Sequence, residues 1–130
     1  MDQRLPPHAP VICVVDDDDA VRRALEFALD LEGFAVETYA SGEALLLRTQ
    51  TDEPACLVID ERLPGVSGFD TLRQLRARHL GVPAILITSH PKPAIRAAAA
   101  AAGVPILEKP LLGETLVSAI REAIETRPPN

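Results

Sequence analysis

Five polar residues stand where short apolar segments of the chain end. Asp16 and Asp17 follow the first of these segments, and Asp60 follows the third. Thr88 and Lys109 follow the fourth and the fifth. If the segments are parallel strands, their carboxyl ends lie along one edge of a sheet, where ligands bind in folds of this kind. Three carboxylates, a hydroxyl and an ammonium group then meet at that edge, and this convergence is the strongest functional signal in the sequence.

Crowded carboxylates favour a metal ion. Each pair of charges at about 4 Å costs on the order of 1 kcal/mol in water and roughly 4 kcal/mol at an effective dielectric constant of 20. A hard divalent cation removes this cost, and oxygen ligands select magnesium over zinc. No His or Cys has zinc-like spacing at the predicted edge. We therefore expect Mg²⁺ to be bound by Asp16, Asp17 and Asp60.

The same residues are suited to phosphoryl transfer. An ammonium group at Lys109 and a hydroxyl at Thr88 can hold phosphoryl oxygens beside a magnesium ion. An aspartate can act as the nucleophile and form an acyl phosphate. The sequence contains no Gly-rich phosphate loop, so a nucleotide is not the expected donor.

The elements that must position these residues alternate strictly between strand and helix. Apolar runs predict strands at residues 11–15, 34–39, 55–59, 82–87 and 104–107. Amphipathic segments predict helices from Asp18 or Asp19 to Gly33, from Ser41 to about residue 50, at 68–79, from Pro93 to Gly103, and at 113–126. This alternation predicts an α/β fold with a five-stranded parallel sheet and five helices on its two faces.

Composition and charge limit the classes of partner. The chain has 130 residues, of which 47% are hydrophobic, and a formal net charge of −6 without a basic stripe. These properties predict one globular domain that does not contact nucleic acid directly. No apolar run approaches the roughly 20 residues needed to cross a bilayer, and the amino terminus has no signal-peptide core. We expect a cytoplasmic protein with a flexible tail at 1–10, a domain at 11–126 and a C-terminal tail at 127–130.

Cys13 and Cys56 both lie in apolar runs, and we interpret them as buried free thiols. Each precedes an aspartate of the predicted site by four positions. If their strands are neighbours, the two thiols could lie side by side, although parallel strands provide poor geometry for a disulfide.

Taken in order, four short motifs resemble those of the receiver domains of two-component response regulators. They are VVDD at 14–17, LVIDERLPGVSG at 57–68, IT at 87–88 and EKP at 108–110. Each motif is weak alone, but together the resemblance is specific and covers residues 11–126. The stretches ITSH at 87–90 and EKP are most similar to the nitrogen-fixation and quorum-type regulators.

The resemblance implies a doubly wound, flavodoxin-like sheet of order 2-1-3-4-5 and a role for each site residue. Asp60 would be the phosphoacceptor. Asp17 would bind Mg²⁺ directly, Asp16 largely through water, and the backbone carbonyl of Arg62 would complete the metal site. The phosphoryl group would be held by Thr88 and Lys109, the latter followed by a bond to Pro110 that is often cis in the family.

The resemblance also implies a signalling domain rather than an enzyme with its own substrate. The donor would be a phosphohistidine on a sensor histidine kinase or phosphotransfer protein. One departure is Ile106, which stands where receivers usually carry Tyr or Phe, so the family's threonine–aromatic rearrangement is not expected in its usual form. The apolar face at residues 97–107 is predicted to contact an output partner or a second copy.

Several functions remain open at this point. The leading hypothesis is a stand-alone receiver that signals or relays phosphate. One alternative is a receiver fragment of a longer transcription regulator. A second is a pseudo-receiver that binds partners with weak or no phosphorylation, which Ile106 favours. A third, a magnesium-dependent phosphatase acting on small substrates, lacks a recognisable second acid or base.

Overall fold

The computed structural model describes residues 9–48, 53–78, 81–111 and 113–127. Strands and helices alternate along the chain, as predicted. The strands are β1 (Val11–Val15), β2 (Ala35–Tyr39), β3 (Cys56–Asp60), β4 (Ala84–Thr88) and β5 (Ile106–Glu108). The helices are α1 (Asp19–Leu31), α2 (Gly42–Leu46), α3 (Gly68–Arg76), α4 (Pro93–Ala101) and α5 (Gly113–Glu125). The predicted tails lie mostly outside the described residues.

All strand pairs are parallel, and the order in the sheet is β2-β1-β3-β4-β5. The order changes direction between β1 and β3, so the loops that follow these two strands leave a crevice between them. This is the doubly wound architecture that the resemblance implied. Within the described residues, no helix combines the length and the apolar character needed to span a membrane.

Two apolar cores lie on opposite faces of the sheet, because successive side chains of a strand point to opposite sides. One face packs against α2, α3 and α4 through residues that include Leu45, Leu72 and Ala99. The other face packs against α1 and α5 through Leu29, Leu116 and Ile120. The central strands β3 and β4 are buried along their whole length, which explains their continuous apolar sequence.

The caps predicted from the sequence are present. The carboxylate of Asp18 accepts hydrogen bonds from the backbone N–H groups of Ala20 and Val21 at 2.9 and 3.3 Å. The hydroxyl of Ser41 accepts from Ala44 at 3.0 Å, and Pro93 is the first residue of α4. These caps satisfy N–H groups that have no partner within their helices.

Some element boundaries differ from the prediction. The fourth and fifth strands begin at residues 84 and 106, two positions later than predicted. Pro83 and Pro105 stand directly before them and lack a backbone N–H to donate to a neighbouring strand. Their carbonyls still accept hydrogen bonds, from Leu57 and Leu86 respectively, each at 2.9 Å. Helix α2 ends at Leu46 rather than near residue 50, and residues 49–52 lie outside the described part of the chain.

Both cysteines are buried and outside any disulfide, as predicted, but they do not lie side by side. In the register of β1 with β3, Ile12 is opposite Cys56 and Cys13 is opposite Leu57. This offset of one residue puts the two thiols in the cores on opposite faces of the sheet. Burial raises the pKa of the Cys56 thiol to about 12, so this thiol is inert rather than reactive.

Candidate functional site

The carboxyl edge of the sheet gathers the polar residues singled out in the sequence. Because Val15 pairs with Ile59, the residues that come next in the chain, Asp16 after β1 and Asp60 at the end of β3, lie side by side at this edge. Thr88 ends β4, and its carbonyl accepts a hydrogen bond from the backbone N–H of Lys109 at 2.9 Å. The convergence predicted from parallel strands is therefore observed in the fold.

Three carboxylates form a compact cluster at this edge. Asp16, Asp17 and Asp60 each offer an oxygen atom that lies within 4.8 Å of the other two. Asp16 is 0% exposed and Asp60 is 4% exposed, whereas Asp17 is exposed to solvent. A set of hard oxygen donors with one member open to water fits Mg²⁺, which keeps several water ligands when it binds protein carboxylates.

The ammonium group of Lys109 bridges two of these carboxylates. Its Nζ donates to Oδ2 of Asp16 at 3.1 Å and to Oδ2 of Asp60 at 3.2 Å. Burial by itself lowers the pKa of Lys109, but the hydrogen bonds and charges of the two aspartates outweigh burial and raise the pKa above its ordinary value. Lys109 is therefore a cation at neutral pH and neutralises only part of the cluster.

The Asp60 carboxylate is electrostatically disfavoured in its ionised form. Burial raises the pKa of Asp60, and the nearby charge of Asp16 raises it further. The Lys109 ammonium and the backbone N–H of Arg62, which lies 3.3 Å from Oδ1, oppose this shift without reversing it. A further cation beside Asp60 would favour the ionised carboxylate.

Asp16 is anchored through every polar group that it has. Its Oδ1 accepts from the backbone N–H of Asp18 at 2.9 Å, and its own N–H donates to the carbonyl of Tyr39 at 3.1 Å. Its carbonyl accepts from Nη1 of Arg22 at 2.7 Å, and its Oδ2 accepts from Lys109. The position and the orientation of Asp16 are therefore both fixed by the surrounding fold.

Thr88 is buried, and its hydroxyl donates to the carbonyl of Ser89 at 3.3 Å. Ile106 lies on the neighbouring strand, where it pairs with Leu86 and packs against the core on the α2–α4 face. Ile106 has no polar tip, so its contacts there are apolar only.

The loop between β3 and α3 is held by residues for which the sequence predicted no role, although two of them lie in the motif at 57–68. Oε1 of Glu61 accepts from the backbone N–H of Phe69 at 2.8 Å, and Oε2 of Glu43 accepts from the N–H of Val66 at 3.2 Å. Gly68 lies against the carbonyl of Asp60. These contacts fix the loop that carries Arg62. A single sequence contains no local signal for them, because they join separate elements.

Residues 12–121 match the family described as the response regulator receiver domain. The chain belongs to this family. Among curated proteins, the receiver is 35% identical over 125 residues to the transcriptional regulatory protein FixJ of Azorhizobium caulinodans. It is 36% identical over 121 residues to the response regulator protein TodT of Pseudomonas putida. These matches confirm the receiver resemblance that the motifs indicated.

Solved structures support the same assignment. The receiver superimposes on the crystal structure of FixJ-N with a TM-score of 0.82 and 33% identity, covering 95% of this chain and 99% of that one. The matches to the full-length relatives cover 95% of this chain and 57% of FixJ, and 92% of this chain and 53% of TodT. The chain therefore spans little more than half the length of these two relatives.

Replacing Lys109 tests the charge balance of the receiver's site. Lys109→Gln should lower the free energy of unfolding by about 2 kcal/mol in chelator, because two carboxylates lose their shared cation. The loss is smaller than for a fully buried pair, since the Lys109 side chain is 24% exposed. Added Mg²⁺ should recover much of this loss, because a bound ion neutralises the same carboxylates. Urea unfolding with and without Mg²⁺ measures both effects.

The matched control is Lys92→Gln, which removes the same charge from an exposed position. This control should change stability by less than about 0.5 kcal/mol. Equal losses in the two variants would contradict a special role for Lys109 in balancing the cluster.

Proposed function

We propose that this receiver accepts a phosphoryl group on Asp60 in a Mg²⁺-dependent reaction and acts as a signalling module of a two-component system. The observation that carries the proposal is the cluster of Asp16, Asp17 and Asp60 with Lys109 bridging two of them. The donor is a phosphohistidine on a sensor histidine kinase or a phosphotransfer protein, in keeping with the family.

In the proposed reaction, an Asp60 oxygen attacks phosphorus in line with the bond to the histidine nitrogen. The new bond joins phosphorus to the Asp60 oxygen, and the bond from phosphorus to the imidazole nitrogen breaks. Lys109 lies close enough to Asp60 to move its ammonium group onto a phosphoryl oxygen. Thr88 donates its hydroxyl to another phosphoryl oxygen instead of to the carbonyl of Ser89.

The metal would be held by Asp17 directly, by Asp16 largely through water, by Asp60 and by the backbone carbonyl of Arg62. When bound, Mg²⁺ supplies positive charge that neutralises the carboxylates and the oxygens of the transferring group. The raised pKa of Asp60 is consistent with a nucleophile that requires such a charge nearby to remain ionised at neutral pH.

An apolar cleft beside the site suits the donor protein. It has a volume of about 450 Å³ and is lined on one side by Val21, Ala24 and Leu25 of α1. Lys109, Pro110 and Leu111 line the other side. An apolar surface that borders the reacting residues allows a kinase helix to dock with its phosphohistidine close to Asp60. We assign the donor to this cleft.

The surface formed by α4 and β5 is the proposed contact for an output partner or a second copy. Ala97 and Ala100 are exposed on α4, and Arg96 forms an ion pair with Glu108 of β5. The receiver operates either alone or as one part of a longer transcription regulator. The greater length of FixJ and TodT favours the second arrangement, and the size of the native polypeptide on an immunoblot distinguishes the two.

Incubation with acetyl phosphate tests the function directly. The purified protein should gain the mass of one phosphoryl group in the presence of Mg²⁺ and none when the metal is chelated. Intact-mass spectrometry measures the gain. A protein that stays unmodified with Mg²⁺ would instead be a pseudo-receiver, and rapid turnover of added phosphoesters without a mass gain would indicate a phosphatase.

A further inference from the structure

Arg22 of α1 contacts the main chain of the acidic cluster. Its Nη1 donates to the main-chain carbonyl of Asp16 at 2.7 Å, and its Nη2 donates to Oδ1 of Asp19 at 2.8 Å. The two bonds use both terminal nitrogens of the guanidinium group, so they fix the plane of this group as well as its position. The side chain is 17% exposed. Arg22 thus ties the first turn of α1 to the backbone of Asp16, the first residue of the acidic segment at 16–19.

The neighbouring Arg23 shows that this arrangement is specific. Arg23 also pairs with Asp19, through Oδ2 at 3.0 Å, but its side chain is 78% exposed. The two residues carry the same charge, lie on the same helix turn and share one carboxylate. Arg22 is the more buried of the two, and it alone of the pair donates to the Asp16 carbonyl. Through this hydrogen bond Arg22 contacts the functional site.

The Asp16 carbonyl belongs to the peptide unit that leads into Asp17. A hydrogen bond to that carbonyl therefore restrains the orientation of the peptide plane from which the Asp17 side chain departs. The N–H of Asp16 is restrained from the other side by the carbonyl of Tyr39. Without Arg22, the backbone of Asp16 would keep its hydrogen bond to Tyr39 of β2 and lose its hydrogen bond to α1.

We propose that Arg22 is a positioning residue for the metal and phosphoryl site, acting through the Asp16 carbonyl to aim the carboxylates of Asp16 and Asp17. The inference rests on the proposed function, because it concerns the Mg²⁺ that this function requires. Residues that orient metal ligands contribute to affinity even though they do not touch the ion, and their loss commonly weakens binding by tenfold or more.

Electrostatics alone would act in the opposite direction. A guanidinium beside a cation site repels the incoming cation, so removing its charge would tighten Mg²⁺ binding. Positioning predicts weaker binding after the same substitution. The sign of the change in Mg²⁺ affinity therefore separates the two roles.

The experiment compares Arg22→Gln with Arg23→Gln, which removes the same charge one residue away. Mg²⁺ dissociation constants are measured by titrating MgCl₂ at constant ionic strength and following backbone amide NMR signals. Arg22→Gln should raise the dissociation constant about tenfold relative to Arg23→Gln. Arg22→Lys should give an intermediate dissociation constant, because an ammonium group keeps the charge but cannot make both hydrogen bonds in the planar geometry of the guanidinium group.

Chemical unfolding of each variant is measured in parallel. A loss of stability in Arg22→Gln with a dissociation constant equal to that of Arg23→Gln would overturn the inference and leave the proposed function intact. Tighter Mg²⁺ binding in Arg22→Gln would overturn it as well. A wild-type protein that binds no Mg²⁺ would overturn the proposed function itself. If Arg22→Gln does not fold, a dissociation constant of Arg22→Lys equal to that of Arg23→Gln would refute the positioning role.

Discussion

Asp60→Asn is expected to gain no phosphoryl mass from acetyl phosphate and Mg²⁺, and to resist urea better than the wild type when divalent ions are chelated. The first effect follows because an amide oxygen is not a nucleophile of comparable strength. The second follows because burial and the charge of Asp16 disfavour the ionised carboxylate of Asp60. An amide of the same shape carries no charge and can still accept a hydrogen bond from Lys109. We expect a gain on the order of 1 kcal/mol.

The stability difference should depend on pH in a defined direction. Below the ordinary pKa of 3.8, Asp60 is protonated in the folded and the unfolded state, and the difference is smallest. Because the folded-state pKa is raised, the unfolded chain releases this proton first as pH increases. The wild type therefore loses stability relative to Asp60→Asn as pH rises above 3.8, and the difference is complete above the folded-state pKa.

A suitable control is Asp70→Asn, which neutralises an aspartate that is 56% exposed and pairs with Arg73 on the surface of α3. This variant should gain phosphoryl mass like the wild type and should not gain stability. Phosphorylation of Asp60→Asn would place the acceptor at another residue. An Asp60→Asn protein that is less stable than the wild type at neutral pH would mean that Lys109 outweighs burial and repulsion.

Gly68→Ala is expected to lower the free energy of unfolding by about 3 kcal/mol and to slow phosphorylation of the protein that remains folded. A Cβ atom at this position would overlap the carbonyl oxygen of Asp60 and would lie 2.9 Å from Cα of Glu61. Both are backbone atoms and cannot rotate away. The start of α3 or the end of β3 must shift, and either movement displaces the loop that carries Arg62.

Gly103→Ala provides the matched comparison for this substitution. Gly103 has a φ of +70°, and a Cβ atom there would meet no atom within 4 Å. This variant should lose only about 1 kcal/mol, the cost of a left-handed backbone for alanine. Its rate of phosphorylation should match that of the wild type. Similar losses in the two variants, measured by urea unfolding, would contradict close packing at Gly68 as the cause.

Much of the architecture could be predicted from local patterns. Buried parallel strands have continuous apolar sequences, so β3 and β4 were recognisable without a structure. Asp18, Ser41 and Pro93 marked helix starts because their capping chemistry acts within a few residues. The strands near Pro83 and Pro105 begin later than their apolar runs, because an apolar run does not reveal which backbone groups form hydrogen bonds to the neighbouring strand.

By itself, the sequence determined the alternation of strands and helices, the shared edge at which Asp16, Asp60 and Lys109 had to meet, and the family to which the chain belongs. These conclusions depend on periodicity and on motifs, which are local in the chain. Only the tertiary structure decided the one-residue offset that separates Cys13 from Cys56 and the bridge from Lys109 to two aspartates. It alone also decided the bond from Arg22 to the Asp16 carbonyl. Register and side-chain contacts of this kind arise when distant segments pack together, and the free energy that selects them is absent from any single segment.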